Sequence, residues 1–198
     1  MDKNISTPPI PLFKEWLEEA KNSEINDPGA MALATADANG KPSVRMILLK
    51  QVDELGFKFH TNCESKKGIQ LHENPYAALC FHWKSLRKQI RVEGKIEHVS
   101  ESEADAYFEN RPYARQVGAW ASQQSRPLKS RASLENDIKK MQEQYPEDIK
   151  VPRPSYWVGY RLIPQNIEFW WDNPDRLHDR LLYTKNNAGE WDVTRLYP

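Results

Sequence analysis

Glycine is scarce in this chain. Eight of its 198 residues are Gly, and no two stand close enough to form GxGxxG or a P-loop, so any phosphate bound here is held by side chains. Cysteine is scarcer: Cys63 and Cys80 lie outside any CxxC and away from a ligand set. That argues against a zinc site or disulfide framework and predicts two free, buried thiols. The five His are scattered and GxSxG and HExxH are absent, so hydrolase and metal chemistry has no support and no metal is expected. Charge of one sign is missing too. The 28 Lys and Arg balance the 28 Asp and Glu, leaving none of the basic excess of a nucleic-acid binder. The best apolar runs, Ala30–Ala34, Met46–Leu49 and Tyr76–Phe81, fall far short of the ~20 residues of a membrane span. The opening MDKNISTPPIP has no apolar signal region, so a soluble cytoplasmic protein is expected.

Aliphatics are also thin, and the mean hydropathy is −0.80. Aromatics at 11% make up part of the shortfall. A bound cofactor or a second subunit would complete such a core, so a cofactor protein or an obligate oligomer is expected. The length suits one domain over residues 1–198, with residues 1–10 as a flexible arm. Leu12, Phe13, Trp16, Leu17 and Ala20 recur at helical spacing in 11–20. Short β-type runs follow at 30–36, 42–50, 57–61, 76–84 and 88–99, with a hairpin signal at Asn39-Gly40. Segments 64–73, 101–110 and 128–144 read as helices, and 156–163, 166–171, 177–184 and 190–196 as further strands. The fold class is therefore mainly β with flanking helices: about eight mostly antiparallel strands in a barrel with the helices outside it.

Five segments carry candidate chemistry. Arg45 and Lys50 frame the apolar centre of RMILLK; each either meets an anion or reaches solvent and carboxylates from a strand end. Lys66 and Lys67 open a helix whose amides favour an anion, as a phosphate seat or as ordinary solvated charges. Tyr107 and Arg111, four apart on a predicted helix, either grip one phosphate or pack ring over stem. Residues 118–125, GAWASQQS, either bond the edge of a flat heterocycle or form a plain polar loop. Arg176, His178 and Arg180 alternate along a predicted strand beyond Trp170 and Trp171. That places them on one face, toward an anionic or electron-rich ligand or toward water on an edge strand.

With RMILLK, SKKG, Gln89 in RKQIRVEG, YFENRP, QVGAWASQQS, SYWVGYR, IEFW, RLHDR and TRLYP in this order, the chain resembles the pyridoxamine 5′-phosphate oxidase family over roughly residues 12–198. The resemblance implies an FMN-binding split β-barrel that forms a homodimer, with FMN at the interface. It implies oxidation of pyridoxamine or pyridoxine 5′-phosphate to pyridoxal 5′-phosphate, with dioxygen reduced to hydrogen peroxide. Carried over by position, the FMN contacts are Arg45, Met46, Ile47, Leu48, Leu49, Lys50, His60, Thr61, Lys66, Lys67, Gln89, Gln124, Ser125, Trp170 and Arg180. Lys50, Tyr107, Arg111 and Arg115 would hold the substrate phosphate. Arg176, Leu177 and His178 would face the pyridine ring, with Arg176 and His178 the catalytic pair. Arg115 stands where the family commonly has a small hydroxyl residue, His60 where it has Tyr, Lys66 where it has Arg, and Trp171-Asp172-Asn173 where it has a Gln-Gly-Gly turn. Another split-barrel flavin oxidoreductase, or a non-catalytic flavin or pyridoxal-phosphate carrier, is the alternative.

Overall fold

The computed structural model describes residues 7–198, and the proposed arm at residues 1–6 lies outside the described residues. Residues 9 and 10 are not arm. They begin α1 (Pro9–Ser23), where Pro suits the first turn because its missing N–H has no partner to lose. The helix buries Ile10, Leu12, Phe13, Trp16 and Ala20 against the sheet. Phe13 meets Phe57 and Phe81 edge-on at 4.8 and 5.0 Å, and Trp16 meets Phe169 at 5.1 Å. A Phe13→Ala change here removes a fully buried ring, a loss of about 3–5 kcal/mol.

Among the described residues, nine strands form one antiparallel sheet curled into a half-barrel. They are β1 (Ala30–Ala36), β2 (Pro42–Leu48), β3 (Gln51–Asp53), β4 (Gly56–Asn62), β5 (Tyr76–Trp83), β6 (Lys88–His98), β7 (Trp157–Trp171), β8 (Asp179–Lys185) and β9 (Trp191–Arg195). The order is β2-β1-β5-β6-β7-β4-β3, with β8 on β7 and β9 on β8. Inward residues of alternate register, Met31, Leu33, Leu79, Phe81, Ile90, Val92, Phe169 and Leu181, form the core with α1. Flanking helices are α2 (Lys66–Glu73), α3 (Glu101–Glu109), α4 (Tyr113–Ala121) and α5 (Arg131–Gln144).

Two strand expectations change. The run 42–50 breaks after Leu48, because β2 and β3 lie at opposite ends of the sheet path. Leu49 and Lys50 cross the seam, where Leu49 N–H donates to Gly29 O and Lys50 N–H to Lys58 O. Conversely, 156–163 and 166–171 are one strand. Its register against β6 shifts between Glu93 and Gly94, a bulge that accommodates Pro164, which has no N–H for the ladder. A Cβ on Gly94 would stand 2.0 Å from Ile163 O, so the close approach there requires glycine. Both cysteines are free but half-buried rather than buried. Among the described residues, no helix is long and apolar enough to cross a membrane, and no group of three or more His, Cys, Asp or Glu could hold a metal ion.

Candidate active site

The start of α2 builds the first cluster. Ser65 caps the helix, its Oγ accepting from Gly68 N–H. A Cβ on Gly68 would lie 2.1 Å from Cys63 O, so glycine lets the helix begin hard against the end of β4. Lys67 is thereby buried, with Nζ donating to Gln124 Oε1 at 2.6 Å and to Thr61 Oγ1 and Ser65 Oγ at 3.3 Å. Burial, and then the nearby Arg45 charge, push its pKa down to about 8. Arg45 on β2 donates to Leu33 O and Thr35 Oγ1 at 3.0 and 2.7 Å, and Gln70 Oε1 lies 3.4 Å from its other Nη. Lys66, Gln124 and Ser125 are exposed beside them, Ser125 with a left-handed φ of 71°. Arg45 and Lys67 meet no carboxylate among the described residues. Two desolvated cations, a helix N-terminus and hydroxyl and amide groups are the donor set a phosphate group requires, and they fit the phosphate end of the FMN that the resemblance implies.

The second cluster sits across the seam. Lys50 follows β2, Tyr107 rides on α3, Arg111 lies in the bend after it, and Arg115 is in the first turn of α4. The shared helical face expected for Tyr107 and Arg111 is not formed, because α3 ends at Glu109. Trp157 brings them together instead: Tyr107 is near-parallel to it at 6.1 Å, and the Arg111 guanidinium lies over its ring at 4.7 Å. His60 joins these rings, 4.1 Å from Tyr107 and 4.9 Å from Trp157, and burial pushes its pKa down to about 4. Arg111 Nη1 is buried without a partner. The Lys50 pKa is lowered by burial, then by Arg115 and Arg111, so the three cations feel one another. None has a carboxylate ion pair among the described residues. Thr61 and Gln124 of the first cluster and His60, Arg111 and Arg115 of the second line one cleft of about 370 Å³.

The third group lies elsewhere. Gln89, Trp170 and Arg180 are direct neighbours across β6, β7 and β8. Arg180 Nε donates to the buried Glu168 at 2.8 Å, and Arg91 pairs with the same carboxylate. Both arginines hold the Glu168 pKa below the ordinary carboxylate range against the opposing effect of burial. Arg176, Leu177 and His178 are not on a strand, because β8 begins at Asp179. Arg176 ends a 3-10 turn at Pro174–Arg176 with φ 62°, Leu177 is 68% exposed, and His178 packs against Trp170 at 4.7 Å with the rings tilted. Thr61 pairs with Val158 near one end of β7, whereas Trp170 is near the other, on the order of 40 Å of strand away. One chain therefore carries two separated halves of the expected site. Met46 and Leu48 point outward with Val44 along β2, while Ile47 and Leu49 pack against the core.

Reasoning from sequence missed Trp157, Glu168 and Asp172 as organising residues. The first two lie within motifs it had singled out, SYWVGYR and IEFW. It also missed α4, whose end it leaves between a segment that bonds the edge of a flat heterocycle and a plain polar loop. Tyr113–Ala121 carries a mid-helix Gly118 and no side-chain N-cap, so the usual start signal is absent.

Residues 17–145 match the family model described as pyridoxamine 5′-phosphate oxidase, and 157–198 match the pyridoxine 5′-phosphate oxidase C-terminal dimerisation region. A pyridoxine/pyridoxamine 5′-phosphate oxidase of Mesorhizobium japonicum is 53% identical over 190 residues, 96% of this chain and 92% of that protein. Its namesake in Brucella canis is 54% identical over 194 residues, 98% and 95% of the two chains. Among solved structures, PhzG from Burkholderia lata, in complex with tetrahydrophenazine-1-carboxylic acid, superposes with a TM-score of 0.93 at 34% identity, covering 100% of this chain and 97% of that one. A pyridoxamine 5′-phosphate oxidase-related, FMN-binding protein from Nostoc punctiforme shares the fold at a TM-score of 0.77 and 20% identity, covering 98% and 100%.

Proposed function

We propose, because the chain belongs to the pyridoxamine 5′-phosphate oxidase family, that it oxidises pyridoxine and pyridoxamine 5′-phosphates to pyridoxal 5′-phosphate at a site shared by two copies of the chain. It is an oxidoreductase with FMN as its cofactor. The observation that carries the substrate reading is Arg111 Nη1, buried without a hydrogen-bond partner beside two further cations that have no carboxylate ion pair among the described residues. A guanidinium desolvated without an anion is costly, and a phosphate monoester relieves that cost. Lys50, Arg111 and Arg115 hold the substrate phosphate with Tyr107 at their side, each charge-assisted bond contributing about 1.5–3 kcal/mol. Arg115 is a stronger anion ligand than a hydroxyl and lies within electrostatic reach of both other cations.

Arg45, Thr61, Lys66, Lys67, Gln124 and Ser125 hold the FMN phosphate, beside the β2 and β4 residues Met46 to Leu49 and His60. When bound, FMN supplies the two-electron redox chemistry, and its reoxidation by dioxygen yields hydrogen peroxide. Gln89, Trp170 and Arg180 from a second copy complete the cofactor site, and Arg176 and His178 orient the pyridine ring with Leu177 between them. The separation of the two halves within one chain, the dimerisation region over 157–198 and the exposed Val44, Met46 and Leu48 on an edge strand support that pairing.

The test is an anaerobic titration of FMN-loaded protein with each B6 phosphate, watching the oxidised-flavin band, followed by air. Bleaching, recovery and aldehyde formation are the expected result. A flavin that neither compound bleaches sinks the reading. If tetrahydrophenazine-1-carboxylic acid bleaches it instead, the activity is that of another flavin oxidoreductase on this barrel, the alternative that the PhzG likeness favours. If nothing does, the protein is a carrier.

A further inference from the structure

The turn after β7 holds an arrangement that phosphate binding does not use. Asp172 Oδ1 lies 3.0 Å from His178 Nδ1, with the side chains only 15% and 22% exposed. Asp172 is fastened to the β5–β6 turn twice: its carboxylate pairs with Arg87, and its backbone N–H donates to Arg87 O at 3.1 Å. The Trp170 ring lies against His178 at 4.7 Å, tilted by 46°. The loop that brings these groups together is unusual in shape, with consecutive left-handed residues at Asp175 and Arg176, and Asn173 Nδ2 ties it to Asp179.

Two groups compete for the same ring nitrogen. The Asp172 carboxylate can only accept, so it requires a proton on Nδ1. The Asn173 backbone N–H, 3.3 Å from Nδ1, can only donate and requires a lone pair there. The carboxylate contact is the shorter of the two, 3.0 against 3.3 Å, and the same carboxylate is held in place by its pairing with Arg87. Of the other charged groups at the turn, Asp179 pairs with Arg195, and Asp175 and Arg176 have no ion-pair partner among the described residues.

We propose that Asp172 is a positioning residue for the reaction, holding the His178 proton on Nδ1 so that Nε2 faces the substrate as a hydrogen-bond acceptor when the ring is neutral. What His178 faces rests on the function proposed above; the placement of the proton does not. The tautomer of an imidazole is set by the bond its other nitrogen makes, and an inverted tautomer presents a donor where an acceptor is needed. In Asp172→Asn, the side-chain amide and the Asn173 N–H both donate toward Nδ1, which drives the proton to Nε2.

The experiment uses FMN-loaded protein labelled with ¹⁵N-histidine, the His178 signals being assigned by their loss in His178→Gln. Wild type is expected to show the Nδ1–H tautomer and Asp172→Asn the Nε2–H tautomer. With pyridoxine 5′-phosphate, kcat falls ten- to hundredfold in the variant, with KM within threefold and FMN content unchanged. An Nε2–H tautomer in the wild type overturns the proposal even if the variant fails to fold. So does retention of Nδ1–H in a folded variant, or inversion of the tautomer with kcat unchanged. The spectra decide the position of the proton whether or not the wild type turns over a B6 phosphate, so failure of the activity and failure of this inference are read separately.

Discussion

The two halves of the site treat charge in opposite ways. At the seam between β2 and β4, Arg45 and Lys67 meet amides, hydroxyls and carbonyls and Arg111 an aromatic ring, Lys50 and Arg115 are exposed beside them, and none of the five has a carboxylate ion pair among the described residues. At the β7–β8 end, Arg180 and Arg91 share Glu168, His178 and Arg87 share Asp172, and Arg195 takes Asp179. A cation without an internal partner in a desolvated place is poised for an anion from outside. A compensated network holds its own geometry before any ligand arrives. On the function proposed above, the first half would bind charged ends of ligands, and the second would orient a ring.

If this division is right, the largest effect on turnover comes from the self-compensated end. His178→Ala should lower kcat on the order of 10²-fold or more while FMN stays bound. Loss of flavin equal to the loss of rate would put His178 in cofactor binding instead. Breaking the compensation itself should appear as stability. Glu168→Ala leaves two arginines facing each other without their carboxylate, at a cost of about 2–3 kcal/mol after allowing for their partial exposure, or a drop of roughly 5–10 °C in Tm. A Tm within 2 °C of wild type would mean that the network does not hold the β6–β8 face together.

The same kind of change at the seam should do the reverse. Arg111→Ala removes a half-buried guanidinium that has no ion pair among the described residues and lies over the Trp157 ring, so Tm should move by less than about 4 °C. KM for pyridoxine 5′-phosphate should rise about 30-fold, near 2 kcal/mol, with kcat little changed. A large loss of stability together with an unchanged KM would make Arg111 a structural residue clamped on Trp157 and erase the contrast between the halves.

The legibility of the molecule follows the same division. The hairpin at Asn39-Gly40 and the stripe of α1 could be read because local periodicity and turn chemistry fix them. Most of the seam cations could be singled out by residue type and by motif. The geometry that gathers them could not, since Tyr107 and Arg111 meet through Trp157, some 50 residues along the chain, and not through a shared helical face. The β7–β8 turn was read as a strand because alternation of Arg176, His178 and Arg180 mimics period two. Left-handed backbone at Asp175 and Arg176 is set by the tertiary ties of Asp172 and Asn173, which no local pattern announces.

The smallest expected effect tests the seam through pH, with two measurements that must move in opposite directions. Lys67 has a pKa pushed down to about 8 by burial, well below its value in an unfolded chain. Above pH 8 the free protein therefore loses this proton while the unfolded chain keeps it. From this group alone, the stability of the FMN-free protein rises with pH between about 8 and the ordinary lysine range. Bound FMN phosphate favours the charged ammonium and raises its pKa, so binding above pH 8 must take up a proton. FMN affinity should be flat below pH 8 and weaken as pH rises beyond it, by up to about tenfold at pH 9. Flavin fluorescence, quenched on binding, gives the affinity, and thermal denaturation gives the stability. In Lys67→Met, the pH-dependent loss of affinity should disappear along with most of the affinity itself. Persistence of the same slope would assign the proton to another group and leave Lys67 out of the phosphate seat.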